Sequence, residues 1–352
     1  MKNFLTNAVF FLLFGLFINS LTPLVAEAQI VSAPGGGIWS SGSTWVGGMV
    51  PGAADNVVIS STVLANGNAC NNLNIVTGGI LQNYNANNYH LTINGNLTNN
   101  GTIRNNTIYS LSVNVVGHIS NNGIMSNYTV TLTGSGNQQI ASTQPLLIGN
   151  FTKNNTSGRA IATTGLDFVG TNINLNSDTL EFTTGNSLTI DGGYLSNGVF
   201  YKSTMPALTI TSGNGTYSYL LTIDAVQSVL NGELLIYSTN TYKNNVINNG
   251  VLQNSPANSY TLTISGNFTN NGTVENNNYA FNLNISGNLI NNGTWTNHTT
   301  TLNGIGNQEI SMTQPFQGSS LIRNNSTGRI RAVTGLTFIG TDITLNSQGY
   351  LN

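Results

Sequence analysis

The sequence predicts an all-β protein folded as a right-handed parallel β-helix, a solenoid with coils of about 22 residues. The first observation is a ten-residue segment, NGNLTNNGTI at 94–103, which returns in related form at 116–125, 265–274 and 286–295. The second is the regular spacing of the glycines at the predicted corners. The third is that no segment after residue 28 shows the apolar period of a helix. Repeats of this length are typical of solenoids, in which each unit stacks on its neighbours to bury its apolar face. The corner glycines are Gly79, Gly101, Gly123, Gly250, Gly272 and Gly293.

Short strands with period-two alternation fit this fold. In the segments 91–93 and 130–132 every second side chain is apolar, so one face of each strand is suited to a core. Asn and Gly tolerate the left-handed backbone conformation that sharp corners need, and stacked Asn amides can hydrogen-bond along the rod. The alternative is that each Asn-Gly step forms a type I′ hairpin turn, in which case the chain folds as antiparallel sandwiches.

A longer repeat divides the chain. Residues 79–177 align with 250–347 at an offset of 171 that falls to 170, and TGLDFVGTNINLNS in the first copy matches TGLTFIGTDITLNS in the second. We therefore expect an N-terminal cap and first coils at 29–78, a first repeat copy at 79–177, and intervening coils at 178–249. The second copy, at 250–352, is expected to be truncated.

The N-terminus has the pattern of a secretory signal peptide over residues 1–28. Lys2 precedes an apolar run at 8–18, and Ala26-Glu27-Ala28 gives a small-residue cleavage site. The alternative is a membrane anchor, but the run is about half of the ~20 residues that span a bilayer. We expect cleavage after Ala28, no transmembrane segment afterwards, and an extracellular or outer-surface location.

Composition narrows the function classes. Only 6% of the residues are charged and 39% are hydrophobic, which favours a buried core over disorder. The net charge of −2 and the scattered Lys and Arg argue against nucleic-acid binding. Cys70 is the single cysteine, so no intramolecular disulfide forms, and we expect a buried thiol.

The N-terminal stretch 35–60 differs from the repeats because it is rich in Gly and contains Trp39 and Trp45. The first coil of a solenoid has an uncovered apolar face, and terminal repeats are atypical for that reason. We interpret the two Trp side chains as a cover for that face. The alternative is a sugar-stacking platform, which makes Trp39 and Trp45 the candidate ligand-binding residues.

Three sets of residues resemble a known group of proteins. They are the segment from Trp45 through Pro51 to Val57, the Gly-Asn-Leu-Thr-Asn-Asn-Gly coils, and the Gly-x-Gly-Asn-Gln-x-Ile corners at 134–140 and 304–310. This pattern resembles secreted bacterial surface proteins of the filamentous-haemagglutinin-like or adhesin-like β-helix type, including those exported by the type IX system. The resemblance implies a pectin-lyase-like β-helix and an adhesive role. The Trp45 segment also resembles, more weakly, G8-type extracellular domains, which implies polysaccharide.

Some parallel β-helices cleave polysaccharides with carboxylates on adjacent coils. The minority candidates here are Asp167, Glu181 and Asp191, and the favoured interpretation is that they are solvated surface carboxylates. Arg159 and Arg329 match between the copies, beside Lys153 and Arg323, and we expect an exposed basic face there. The three histidines occupy unmatched repeat positions, so we expect no metal site and no cofactor. The histidines are His90, His118 and His298.

These observations predict a non-enzymatic, secreted or cell-surface β-helical stalk or adhesive scaffold. Its partner would be a host-cell or environmental polysaccharide or another surface. The alternative is a carbohydrate-binding or polysaccharide-degrading β-helix. A weaker alternative is an ice- or crystal-binding face, suggested by the alternating threonines 129, 131 and 133. Function is expected where the repeat period breaks, at Trp39 and Trp45 and in residues 178–249.

Overall fold

The computed structural model describes residues 29–106, 108–155, 157–201, 208–211 and 215–346. The predicted signal peptide at 1–28, with its cleavage site, lies outside these residues. The described chain is an all-β solenoid with 55% strand and about 21 residues per turn. Every pairing between its strands is parallel, so the prediction of a parallel β-helix is confirmed and the antiparallel sandwich is wrong.

A complete turn contributes one strand to each of three parallel sheets, which the chain visits in the order sheet 1, sheet 2, sheet 3. In a few turns a single-residue bridge takes the place of one strand. Within the described residues, one 3-10 turn, Gly42–Thr44, lies in the N-terminal loop.

Within the described ranges, sheet 1 contains sixteen strands. Three of them are the second halves of long strands that begin in sheet 3. The strands are Gln29–Val31, Asn56–Ile59, Leu73–Ile75, Leu97–Asn99, Ile119–Asn121, Gln138–Ser142, Ala160–Ala162, the long strands Asn172–Phe182, Gly193–Tyr201 and Thr216–Asp224, then Asn240–Tyr242, Tyr260–Ile264, Phe281–Ile285, Thr299–Leu302, Ser320–Arg323 and Asp342–Leu345.

Sheet 2 is continuous through a single-residue bridge at Leu146. Its strands are Gly37–Ile38, Thr62–Ala65, Ile80–Asn83, Thr102–Arg104, Ile124–Ser126, Leu166–Val169, Leu188–Asp191, Leu208–Ile210, Gln227–Leu230, Asn245–Asn248, Phe268–Asn270, Leu289–Asn291, Gln308–Met312 and Ile330–Ala332.

Sheet 3 contains the first halves of the three long strands and ends in a bridge between Phe316 and Phe338. Its other strands are Asn68–Cys70, Tyr89–Ile93, Leu111–Val115, Thr129–Leu132, Asn150–Lys153, Glu233–Ile236, Val251–Asn254, Thr273–Glu275 and Thr294–Thr296.

The core is a set of rows that run along the solenoid, because parallel in-register strands place like residues above one another. One row in sheet 3 consists of Leu91, Val113, Val130, Phe151 and Ile173, each at most 1% exposed. Alternate residues point outward and are polar. This is the period-two pattern that the sequence predicted. It gives a strand one apolar face, whereas a helix would need apolar residues three or four positions apart, so these segments form strands.

Asparagine ladders continue the same principle with polar side chains, as the sequence predicted. In the first copy Asn99 Nδ2 donates to Asn121 Oδ1 at 2.7 Å, and Asn121 Nδ2 donates to Ser142 Oγ at 3.0 Å. All three side chains are buried. A buried amide is stable only when it is hydrogen-bonded, and the coil above and below supplies the partner.

The corner glycines stack, but the expected reason for them is wrong. None of the six has a positive φ, so the left-handed conformation is not what selects glycine there. A Cβ on Gly101 would lie 2.4 Å from the carbonyl oxygen of Gly79, and one on Gly123 would lie 2.2 Å from that of Gly101. Glycine is needed because the backbone of each corner lies so close to the backbone of the corner one coil away that no Cβ atom fits between them. Left-handed residues occur elsewhere, where the long strands bend: Asn176, Ser177, Asn197 and Leu220.

The two sequence copies do not lie on the same sheets. The strand Tyr89–Ile93 belongs to sheet 3, whereas its counterpart Tyr260–Ile264 belongs to sheet 1. Eight pairings lead along sheet 3 from Tyr89–Ile93 to Val251–Asn254, and the counterpart strand follows one sheet later. The offset of 171 residues is therefore eight turns and one further face. The cause is a series of shorter coils in the intervening region, for example Leu208 to Ser228 to Val246.

Candidate functional site

The alternative of a sugar-stacking platform at the N-terminus is wrong, because both Trp side chains are buried. Trp39 is 0% and Trp45 is 2% exposed, and their rings meet edge to face with centroids 5.0 Å apart. Trp45 Nε1 donates to the backbone oxygen of Trp39 at 2.7 Å, and Trp39 Nε1 donates to that of Pro51 at 3.3 Å. The loop that carries them takes the place of a sheet 3 strand in the first turn. Because neither Trp ring has a face exposed to solvent, we infer that the pair covers the apolar core of the first coil.

The three candidate catalytic carboxylates do not form one site. Asp167 and Asp191 lie on adjacent coils of sheet 2, where Asp167 pairs with Thr189 and Asp191 pairs with Val169. Burial, followed by the charge of Asp191, raises the pKa of Asp167. Glu181 lies on sheet 1, 6% exposed, and accepts a hydrogen bond from Arg159 at 2.9 Å. Asp167 and Asp191 are thus the only two of these three that the structure brings together.

The expected exposed basic face is also wrong for two of its members. Lys153 and Arg323 are 1% and 5% exposed. Lys153 Nζ donates to the backbone oxygens of Asn155 and Gly158 and pairs with Asp178. Arg323 has a similar place in the second copy. Each of these buried cations stabilises a corner by hydrogen-bonding to its backbone. The long aliphatic part of the side chain packs in the interior while the polar tip reaches the carbonyl oxygens.

Cys70 is buried, as predicted, and burial raises the pKa of its thiol to about 12. Among the described residues no group of three or more His, Cys, Asp or Glu side chains is placed to hold a metal ion.

An exposed groove that the sequence did not predict lies on the outer surface of sheet 3, with a volume of about 670 Å³. We call it the tyrosine groove. It spans the end of the first copy and the start of the intervening coils. Its polar and aromatic lining consists of Tyr128, Thr129, Asn150, Thr152, Asn172, Asn174, Tyr194, Ser196, Asn197, Tyr219 and Tyr237.

Tyrosine rings form one end of the groove. Tyr194 stacks on Tyr217, one coil further along, with centroids 4.5 Å apart and planes inclined by 17°. Tyr237 packs its ring edge to face against both. Tyr194 and Tyr219 are each 43% exposed, and Tyr128 is 50% exposed at the far end of the groove. Burial and the two neighbouring phenols raise the pKa of Tyr194. A phenol is neutral at physiological pH even without such a shift.

Amides form the floor. In the strand register, Thr129, Asn150, Asn172 and Tyr194 follow one another along the solenoid. Asn172 Nδ2 donates to Asn150 Oδ1 at 3.3 Å, and Asn172 Oδ1 accepts from the backbone N–H of Tyr194 at 3.2 Å. The amide nitrogen has two N–H groups and uses one of them in this ladder. None of the lining residues carries a formal charge.

Comparisons of the chain with protein-family models, with curated protein sequences and with solved structures find no match. No helix in the described ranges has the length and apolar content that crossing a bilayer requires. The assignment of a function therefore depends on the geometry of the solenoid and its surface.

The signal that could have revealed the tyrosine groove is weak in the sequence. Tyr194, Tyr217, Tyr219 and Tyr237 lie in the intervening region 178–249, where the 22-residue spacing does not hold. Their spacings become neighbour relations only once the lengths of the individual coils are known. The prediction that function lies where the period breaks pointed to this region but not to these residues.

Proposed function

We propose that this protein is a non-enzymatic stalk or adhesive scaffold that is secreted or held at the cell surface. The observation that carries the proposal is the continuity of sheet 1, whose strands pair in series from Gln29–Val31 to Asp342–Leu345. The sixteen described strands of sheet 1, spaced about 4.8 Å apart, make a rod of roughly 70 Å. When such a rod is attached at one point, its lateral surface extends away from that point and can contact a partner.

The composition of the rod suits contact with a surface. Buried apolar rows and asparagine ladders stabilise the interior, while the exterior is polar with few charges. A polar surface with few charges can form many hydrogen bonds with a partner. The affinity of such binding depends little on ionic strength. A host-cell or environmental polysaccharide is a partner of that chemistry.

The test is attachment of beads coated with the purified full chain to cell-wall and polysaccharide-coated surfaces under flow. We expect attachment above that of beads coated with an unrelated solenoid of similar charge. Equal attachment of both would contradict the adhesive role. For the location, we expect the chain exported from an expressing bacterium to begin at Gln29, which N-terminal sequencing checks; a chain retained inside the cell would contradict secretion.

A polysaccharide-degrading enzyme is the second candidate, favoured by the carboxylates of Asp167 and Asp191 on adjacent coils and by the raised pKa of Asp167. A carboxyl with a raised pKa can act as a general acid beside an ionised partner. Depolymerisation of a glycan that is lost in both Asp167→Asn and Asp191→Asn would replace the scaffold proposal by this one.

An ice- or crystal-binding face is the third candidate. The threonines at 129 and 131 lie on sheet 3, whereas their counterparts at 299 and 301 lie on sheet 1. The threonine rows of the two copies are therefore one face apart and do not add up to a single flat surface. Thermal hysteresis in a solution of the full chain would be required to retain this candidate.

A further inference from the structure

We infer that the tyrosine groove on sheet 3 is a binding site for a short segment of a neutral polysaccharide. This inference rests on the proposed adhesive role and names the chemistry of its partner. It places recognition neither at the N-terminal Trp pair nor at Asp167 and Asp191, but on the outer surface of the intervening coils.

Tyr194 has a ring face that no other described aromatic ring covers. Tyr194 is the last ring of its stack on the N-terminal side, because Tyr217 covers one of its faces and the next residue in the register on the other side is Asn172. With 43% of its surface exposed, Tyr194 offers a ring face to an incoming molecule. The C–H groups on one side of a pyranose pack well against such a face, since a phenol ring combines an apolar body with a polar tip.

A row of hydrogen-bonding groups lies beside that ring. Asn172 and Asn150 lie one and two strands away from Tyr194, and Asn172 keeps one amide N–H for an external acceptor. From Thr129 to Tyr194 the row covers three strand spacings, about 14 Å. Amides and hydroxyls at this repeat match the alternating donors and acceptors of sugar hydroxyl groups. The groove therefore accommodates a few sugar residues.

The side chains of the groove are preorganised. Asn172 is held by Asn150 and by the backbone of Tyr194, and Asn197 donates to Asn174 Oδ1 at 3.4 Å. Tyr194 and Tyr217 are fixed by each other and by Tyr237. Side chains that are already ordered lose little conformational entropy when a ligand binds, and this raises affinity at a given contact area.

The absence of charge in the groove selects the class of glycan. None of the lining residues is charged, and tyrosine phenols are neutral at physiological pH. An acidic polysaccharide requires cations to compensate for its desolvated carboxylates or sulfates, as phosphates do in nucleic acids. The groove offers only hydrogen-bonding groups and aromatic ring faces. A neutral polymer of hexoses or N-acetylhexosamines has the hydroxyl groups and apolar C–H faces that match them.

The experiment is a glycan array followed by calorimetry with the purified full chain. The probes are oligosaccharides of glucan, mannan, galactan and chitin, with heparin and alginate as acidic glycans and a pool of unstructured peptides as a non-glycan. We expect binding to at least one neutral probe, with an affinity that does not change with salt. Binding to acidic probes alone, to peptides alone, or to none of the probes would overturn the inference.

Variants then locate the site. Tyr194→Ala is expected to weaken binding roughly tenfold, because it removes the ring face, while Tyr194→Phe is expected to bind almost normally. Asn172→Ala should weaken binding by a factor of about 5. The matched control is Tyr279→Ala, which removes a tyrosine of 49% exposure outside the groove and should have no effect. Circular dichroism checks that each variant is folded.

The outcomes separate the two proposals. If coated beads still attach to surfaces but Tyr194→Ala binds glycan as well as the parent chain does, the adhesive role survives and the tyrosine groove is not its site. If beads carrying the parent chain fail to attach although the groove binds a neutral glycan in solution, the scaffold proposal fails and the site remains. If Tyr194→Phe is as weak as Tyr194→Ala, the hydroxyl rather than the ring face determines binding, which contradicts the stacking argument.

Discussion

Buried asparagine ladders should contribute far more to stability than the exposed ladders that run beside them. Asn270 is buried, and its amide makes three hydrogen bonds: to Asn291 Oδ1 at 2.8 Å, to the backbone oxygen of Thr294 at 3.0 Å, and from Asn248 Nδ2 at 2.8 Å. At about 1 kcal/mol per bond, and with partners left unsatisfied in the interior, Asn270→Ala should lower the free energy of unfolding by about 3 kcal/mol.

The next residue provides a matched control. Asn271 is exposed and also belongs to a ladder, donating to Asn249 Oδ1 at 2.9 Å and accepting from Asn292 Nδ2 at 3.0 Å. Water replaces these bonds when the side chain is removed, so Asn271→Ala should cost less than about 0.5 kcal/mol.

Urea denaturation followed by far-UV circular dichroism measures both variants, with the denaturant slope checked because long repeat arrays can lose cooperativity. A double-mutant cycle of Asn270→Ala with Asn291→Ala should show a coupling energy of about 1 kcal/mol. Equal losses for Asn270→Ala and Asn271→Ala would refute the reasoning, since the two variants differ chiefly in burial.

Three further substitutions test other features of the solenoid by the same urea titration. Gly272→Ala should destabilise by more than about 2 kcal/mol, because its Cβ would lie 2.1 Å from a carbonyl oxygen of the neighbouring corner; Gly306→Ala, whose Cβ meets no atom within 4 Å, is its control and should be nearly neutral. Lys153→Met should cost about 2 kcal/mol, because it strands two buried carbonyl oxygens; Lys153→Arg should be tolerated, since the second copy has Arg323 there, and equal losses would contradict this role. Leu220→Asn should stabilise by about 1 kcal/mol, since Leu220 has φ of 48° and Asn adopts this conformation more readily. A lower urea midpoint for Leu220→Asn would show that the leucine side chain contributes more than its backbone strain costs.

The N-terminal Trp residues and the tyrosines show the limits of reading function from composition. Exposed aromatic residues bind sugars, and the sequence contains Trp39 and Trp45 in a Gly-rich stretch, so a platform was a reasonable alternative. In the structure these two rings are buried and pack against each other in the core of the first coil. The rings that do face solvent come from Tyr194 and its neighbours. Burial is a property of the assembled coils, and no local pattern distinguished the two groups.

The repeat, the short alternating strands, the corner positions and the parallel stacking could all be predicted from the sequence, because period-two alternation and a regular coil length within the repeats are local properties. The asparagine ladders could be predicted too, since identical residues at one coil position must meet. Which coil positions share a face became clear only in three dimensions. That depends on the summed lengths of all intervening coils, and the short coils between Leu188 and Val246 rotate the second copy by one face relative to the first. The same summation brings Asn150, Asn172 and Tyr194 into one row, and this is why the tyrosine groove appears only in three dimensions.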